Sequence, residues 1–339
     1  MSQVFLARLG ANESPFGAAP SALVAMAEAM ATSWQYGDPE SHELRHALAR
    51  HHDVDSQSIV VGEGIDGILG LAVRLYAAPG ATVVTSLGGY PTLNYHATGF
   101  GARIVSVPYR NNAEDLEALA ATARRENAAI VYLANPDNPM GSWHSAAAVE
   151  VFLDAVPSQT LILLDEAYGE FAPPGTLPIL DTERPNVLRL RTFSKAYGMA
   201  GLRCGYAIGE PQTIAAFERV RNHFGVNVIA QAGAVAALAA PDHLASVVQQ
   251  TMAARARIAE IALANGLAPL PSATNFVTID CQRDARYAAD LLTGLTSQRI
   301  FIRKPMAPGL DHCIRISVGK ASALEALAAA LPLAIAALA

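Results

Sequence analysis

The chain has 339 residues, of which 52% are hydrophobic and 16% charged. That composition excludes general disorder, and the length argues for two domains rather than one small core. Against 30 Asp and Glu stand 24 Lys and Arg, a net charge of −6 that does not attract nucleic acid or anionic lipid. Only three of the basic residues are lysines: Lys195, Lys304 and Lys320.

Met1–Leu9 lacks the basic flank and apolar run of a signal peptide. Pro20–Thr32 and Ser41–His51 carry helical spacing, with Ser41 as the expected N-cap. Short aliphatic runs bounded by turn formers follow: Ile59–Val61, Thr82–Thr85, Arg103–Val107, Ala129–Leu133, Leu161–Leu164, Val187–Arg191 and Cys204–Ile208. Helical patterns at Asp66–Tyr76, Ala113–Glu126 and Ser145–Ala155 lie between them. This alternation predicts an α/β domain with a mostly parallel, seven-stranded sheet covered by helices on both faces. After about residue 210 helices dominate, at Gln212–Asn222, Ile229–Ala240 and Asp242–Asn265. Phe276–Asp280, Ala285–Ser297, Ile300–Arg303, Cys313–Val318 and Ala321–Ala339 then read as a smaller α+β domain. The expected division is a large domain at 38–240 and a small domain built from 1–37 and 241–339. The most apolar stretch, Ala326–Ala339, is shorter than the roughly 20 residues of a membrane span. Cys204, Cys281 and Cys313 are widely spaced, so buried free thiols are expected, with no metal site and a cytoplasmic location.

Ligands of open parallel sheets bind beyond the carboxyl ends of the strands, so the polar residues there are the candidates. Gly62-Glu63-Gly64-Ile65-Asp66-Gly67 opens a helix and offers backbone N–H groups to an anion. Asn135-Pro136-Asp137-Asn138-Pro139-Met140-Gly141 is a rigid turn that holds an amide at a strand end. Asp165 ends an all-apolar strand, where a carboxylate is costly unless a cation meets it, and Tyr168 lies three residues on. After the next strand, Lys195 sits among Thr192, Ser194 and Arg203. A lysine can form a Schiff base with an aldehyde, and arginine cannot. An anion cradle, a carboxylate for a ring nitrogen, an amide and phenol for a ring hydroxyl and an amine for an aldehyde together match the groups of pyridoxal 5'-phosphate.

At these motifs the chain resembles the fold-type I pyridoxal-phosphate enzymes, the class I/II aminotransferases, and within them the histidinol-phosphate aminotransferases. The resemblance runs from Asn12-Glu13-Ser14-Pro15-Phe16-Gly17 to Ile314-Arg315-Ile316-Ser317-Val318-Gly319. Its most specific stretch is Arg191-Thr192-Phe193-Ser194-Lys195-Ala196-Tyr197-Gly198-Met199-Ala200-Gly201-Leu202-Arg203-Cys204-Gly205-Tyr206. It implies an aspartate-aminotransferase-like fold with Lys195 as the Schiff-base lysine and proton carrier. Asp165 would pair with the pyridinium nitrogen, and Asn138 and Tyr168 would meet the ring hydroxyl. The phosphate would be bound by the N–H groups of Ile65 and Asp66 with Thr192, Ser194 and Arg203. Tyr90, or alternatively Tyr95, would stack on the ring. Tyr36 would reach the site of a second subunit, which implies a homodimer. Asn12, Arg303 and Arg315 would face substrate, with Arg315 clamping its carboxylate. Ile65 stands where the family has Ser, Gly67 where an acid is frequent, and Met140 where Thr is usual. The N-terminal segment is shorter than in many relatives, so part of a lid over the substrate is expected to be absent.

The implied reaction is a ping-pong transamination between an amino donor and 2-oxoglutarate. An aromatic amino acid is an alternative donor. Decarboxylation of a phosphorylated amino acid, as in threonine-phosphate decarboxylases, is the rival reaction on the same cofactor. A regulator with an aminotransferase-like sensing domain would carry an added basic DNA-binding domain. Here the aminotransferase pattern begins by about residue 9 in an acidic chain. An inactive binding module would not need nearly every cofactor contact.

Overall fold

The computed structural model describes residues 4–338. Residues 1–3 of the Met1–Leu9 segment, and residue 339 at the end of the expected last helix, lie outside the described residues.

Strand β1 (Ala7–Arg8) leads to helices α1 (Pro20–Met30) and α2 (His42–His52). Alternation follows through β2 (Ile59–Gly62), α3 (Gly64–Tyr76), β3 (Thr82–Ser86), α4 (Thr92–Gly99), β4 (Arg103–Val107) and α5 (Leu116–Arg125). It continues through β5 (Ile130–Ala134), α6 (Ala146–Ala155), β6 (Leu161–Asp165), β7 (Val187–Thr192) and β8 (Gly205–Ile208). Helices α7 (Pro211–Glu218), α8 (Val228–Leu238) and α9 (Pro241–Ala264) then precede β9 (Ala268–Pro269), β10 (Phe276–Asp280) and α10 (Ala285–Ser297). The last elements are β11 (Ile300–Phe301), β12 (Cys313–Ser317) and α11 (Ala321–Ala336).

The seven expected strands form one seven-stranded sheet in the order β2-β8-β7-β6-β5-β3-β4. Only β8 runs against its neighbours. Successive side chains of a strand point to opposite faces. Ile130, Tyr132 and Leu163 therefore pack in a core with α3, while Val131, Leu133, Ile162 and Leu164 pack in another with α5 and α6. That double burial is why these strands read as unbroken apolar runs.

Several boundaries differ from expectation, each for a local reason. Ser41 does not cap α2; it is in the left-handed region at φ 48°, and Asp38 Oδ2 accepts from the His42 N–H at 2.6 Å instead. Asp115 caps α5 by accepting from the Ala118 N–H at 3.1 Å, so the helix starts at Leu116 rather than Ala113. Helix α4 was not expected, because it is short and buries only Leu93 and Ala97.

The C-terminal strands form an antiparallel sheet, β12-β10-β9, and β1 pairs in parallel with β11. The N-terminal segment is shared between two cores. Ala7 and Leu9 join the core of Ile314, Ile316 and Leu327, whereas Ala19 and Ala22 pack with Ala230 and Ala234 of α8. Among the described residues no single helix is long and apolar enough to cross a membrane; α8 and α9 are so only together, as a pair bent by 85°.

Candidate active site

A cavity of about 260 Å³ opens beyond the carboxyl ends of β5, β6 and β7, beside the start of α3. Ile65, Asp66, Tyr90, Asn138, Asp165, Tyr168, Thr192, Ser194, Lys195 and Arg203 line it, as do Glu13 and Ala134. Residues 137 positions apart in the chain thus meet there, as the crossover topology demands.

One end of the cavity is built for an anion. The first N–H groups of α3 have no carbonyl a turn earlier to bond. Thr192 Oγ1 donates to Ser194 Oγ at 2.9 Å, and Arg203 Nη2 lies 3.4 Å from Asp66 Oδ2. Glycine at residue 64 leaves room for the Arg203 guanidinium in this position. Gly64 has φ +77°, and a Cβ there would lie 2.5 Å from Arg203 Nη2.

The same cavity carries a buried carboxylate. Asp165 is buried, with Oδ1 accepting from the Ala167 N–H at 2.9 Å and Oδ2 from the Tyr132 hydroxyl at 2.6 Å. Burial pushes its carboxyl up to about 6, while both hydrogen bonds and the Lys195 charge pull the other way. Lys195 Nζ donates to the Asn12 carbonyl at 3.3 Å and stands 5.6 Å from the centre of the Tyr168 ring. Tyr90 lines the cavity and donates to Asp66 Oδ1 at 2.8 Å, whereas Tyr95 is 72% exposed and outside it. An anion cradle, a buried carboxylate and an amine within one cavity fit the phosphate, ring nitrogen and aldehyde of pyridoxal phosphate.

Asn12, Arg315, Arg303 and Tyr36 do not line the cavity. Asn12 is buried in the adjoining wall, and its Nδ2 donates to Tyr168 Oη at 3.1 Å. Arg315 stacks 5.1 Å from the centre of the Phe276 ring, and its Nη1 donates to Asn138 Oδ1. Its buried Nε has no partner. Arg303 is exposed but backbone-paired to Arg315, which brings the two guanidinium-bearing residues side by side. Tyr36 is 84% exposed, with its ring 4.6 Å from that of Phe224.

Three buried polar clusters escaped the sequence reading. Tyr132 is one, and the alternation of β5 puts it on the Asp165 face. The second joins Asp137 to Tyr109, whose hydroxyl donates to Asp137 Oδ1 at 2.8 Å. Burial pushes the Asp137 carboxyl up to about 7, and burial beside Asp137 holds neighbouring Glu114 well above the usual range. In the third, fully buried Glu166 accepts from Arg189 Nη2 at 2.5 Å and from Arg191 Nε at 2.8 Å. The two-residue spacing of Arg189 and Arg191 in a strand was its one visible signal. All three cysteines are free and buried. Asp280, His312 and Cys313 bring one potential ligand atom each within 4.8 Å of one another, a grouping the sequence pattern does not show, and burial pushes the Cys313 thiol up to about 12.

Comparison with known proteins agrees with this geometry. Residues 6–331 match the family described as aminotransferase class I and II. The chain is 39% identical to histidinol-phosphate aminotransferase 2 of Ralstonia nicotianae, over 98% of this chain and 89% of that one. It is also 39% identical to the aromatic amino acid aminotransferase of Thermobifida fusca, over 92% and 86% respectively. The crystal structure of histidinol-phosphate aminotransferase from Sinorhizobium meliloti in complex with pyridoxal-5'-phosphate superposes with a TM-score of 0.98. Its sequence identity is 54%, covering 99% of this chain and 92% of that one. With that family match spanning nearly the whole chain, and a lysine, a buried carboxylate and an anion cradle in one cavity, this protein belongs to the class I and II aminotransferases.

Proposed function

We propose that this aminotransferase holds pyridoxal 5'-phosphate in the cavity and moves an amino group from histidinol phosphate to 2-oxoglutarate. The observation that carries the reading is Lys195, whose amine enters the same cavity as buried Asp165 and the Ser194–Arg203 anion end. The bound cofactor supplies an aldehyde for the donor's amine and a ring that accepts the electron pair left on Cα. Lys195 would carry the proton from Cα to the carbon of the cofactor's aldehyde group, Asp165 would hold the ring nitrogen protonated, and Asn138 and Tyr168 would face the ring hydroxyl. The N–H groups of Ile65 and Asp66, with Thr192, Ser194 and Arg203, take the phosphate, and Tyr90 stacks on the ring.

Arg315 and Arg303 supply paired positive charge for the donor's anionic group, with Asn12 orienting the adjoining wall. The relative at 54% identity, which is a histidinol-phosphate aminotransferase, supports that donor. An aromatic amino acid is the second reading, because a relative of equal identity to the first curated one acts under that name. Exposed Tyr36 with its ring 4.6 Å from that of exposed Phe224 forms an aromatic pair suited to burial by a second copy, which supports a homodimer. Three buried free thiols suit a reducing cytoplasm. The proposed division remains a large domain at 38–240 and a small domain from 1–37 and 241–339.

The test mixes cofactor-loaded enzyme with single candidate donors and follows the cofactor's visible absorbance. Conversion by histidinol phosphate, and not by phenylalanine or tyrosine, is expected. Conversion by the aromatic amino acids alone would move the assignment to them, and release of carbon dioxide would replace transamination with decarboxylation.

A further inference from the structure

Strand β5 is aliphatic except at Tyr132, which is 1% exposed. A phenol hydroxyl in such a wall is costly unless it meets an acceptor, and phenylalanine would fill the same space without that cost. The parallel register sets Tyr132 opposite Leu163 and Ala134 opposite Asp165. Tyr132 and Asp165 are thus two residues out of step on one face of adjacent strands, and the hydroxyl reaches diagonally to Oδ2 at 2.6 Å. The other oxygen is held by the Ala167 N–H at 2.9 Å. Each carboxylate oxygen therefore has its own donor, which fixes the plane of the group. Tyr132 does not line the cavity, so it can act on a ligand there only through Asp165.

We propose that Tyr132 is a positioning residue for transamination: its hydroxyl orients the Asp165 carboxylate toward the cofactor's ring nitrogen and holds it in the charged form. The inference rests on the cofactor reading above. The other ionisable groups acting with Asp165 are Asp66 at the start of α3, Tyr90 before α4, Glu114 before α5 and Lys195 after β7. Of these only Lys195 favours the charged carboxylate. Removing the Tyr132 hydroxyl leaves burial and two nearby carboxyl groups opposed by one amine and the Ala167 N–H.

Tyr132→Phe keeps the volume and removes only the donor. In cofactor-free protein, infrared difference spectra across a pH titration follow the protonated carboxyl of Asp165, with the band assigned by its loss in Asp165→Asn. The titration midpoint is expected to rise by about one pH unit in Tyr132→Phe, the scale of one hydrogen bond to a charged group. In loaded enzyme the acid limb of kcat moves upward by the same amount, and cofactor affinity falls several-fold. On an Asp165→Asn background the Tyr132→Phe change leaves turnover and affinity where they are. If Tyr132→Phe titrates and turns over as wild type does while Asp165→Asn is impaired, Tyr132 is packing only and the inference is overturned. If Asp165→Asn itself leaves cofactor absorbance, affinity and turnover unchanged, the cofactor reading falls instead.

Discussion

Asn12 Nδ2 donates to Tyr168 Oη across 3.1 Å, tying the N-terminal segment to the loop after β6. The same residue accepts from Lys195 Nζ through its carbonyl at 3.3 Å, and its Oδ1 accepts from Ser317 Oγ at 2.8 Å. It sits at φ 55°, a region asparagine tolerates better than most residues. Asn12 is thus a joint between β12, the N-terminal segment and the two side chains nearest the chemistry. Asn12→Ala leaves the buried Tyr168 hydroxyl without its donor and Ser317 Oγ without its acceptor, although Ser317 keeps the Asn12 N–H at 2.9 Å, and it strains the backbone. A loss of about 1–3 kcal/mol in donor-dependent kcat/KM, roughly 5- to 150-fold, is expected. Asn12→Gly relieves only the strain and should recover little. Steady-state kinetics with saturating cofactor would measure both, and an unchanged kcat/KM in Asn12→Ala would remove Asn12 from the site.

Lys195 is the one cavity residue whose task demands an amine able to lose its proton. Lys195→Ala is expected to abolish the visible absorbance of bound cofactor and to reduce turnover by several orders of magnitude. Lys195→Arg should restore neither, because guanidinium does not deprotonate near neutral pH. Spectra and turnover of the two variants decide the matter. Normal turnover in either would sink the assignment.

How much of this was legible beforehand follows from what each feature depends on. The seven strands were visible because double burial makes them apolar along their whole length, as in Leu161–Leu164. The cavity residues were visible because topology fixes where a parallel sheet binds, and Asp165 and Lys195 both follow a strand. Ser41 was misread as a cap because Asp38, also a good acceptor, lies close enough to reach the same helix start. The Tyr132–Asp165, Tyr109–Asp137 and Glu166–Arg189 contacts stayed hidden for a common reason. Each joins residues 23 to 33 positions apart, and strand register rather than local pattern sets which side chains meet.

Burial of Asp165 has a consequence for stability as well as chemistry. Its carboxyl lies at about 6 in the folded chain, against an unfolded value of 3.8. Below the unfolded value both states are protonated and the group is neutral in its effect. As pH rises between the two values the unfolded chain releases its proton first, so the folded state loses relative stability until its own carboxyl ionises. Asp165→Asn carries no such penalty. The stability difference, variant minus wild type in cofactor-free protein, is expected to grow by about 2–3 kcal/mol between about pH 4 and pH 7. Urea unfolding at the two pH values would measure it. A difference that stays flat with pH would show that the folded carboxyl is not raised.

Glu166 neighbours Asp165 in sequence but turns away from the cavity, toward Arg189 and Arg191 on β7. All three are largely buried, and Arg189 Nη1 also donates to the Pro178 carbonyl at 2.9 Å. Removing the carboxylate would leave Arg189 away from water with no ion-pair partner among the described residues and Arg191 with only Glu170, at 3.4 Å. Glu166→Ala is expected to destabilise the fold by about 3–5 kcal/mol. The absorbance maximum of bound cofactor should not move in the fraction that remains folded. Denaturant midpoints together with spectra test this, and a small stability change would mean that water reaches the arginines.

Arg315 presents the sharpest question about the donor. Its guanidinium carbon lies 5.1 Å from the centre of the Phe276 ring, one arm donates to Asn138, and Nε is buried without a partner. A buried donor left unpaired is costly, so the site stores a demand that an anionic group of the substrate can satisfy. Arg303, backbone-paired to it, adds charge but stays exposed to solvent. Lysine at 315 could keep the charge, but it would lose the planar face that stacks on Phe276 and the forked donors that match a carboxylate or phosphate. Arg315→Lys is therefore expected to raise the donor's KM by about 10- to 100-fold, the equivalent of roughly 1.4–2.8 kcal/mol, with bound-cofactor absorbance intact. Arg303→Lys should raise it by less than about threefold, since a screened surface charge contributes little. Comparing histidinol phosphate with histidinol in each variant separates the roles. If Arg315 serves the phosphate, the penalty disappears with the unphosphorylated donor, and if it persists the arginine holds some other part of the substrate.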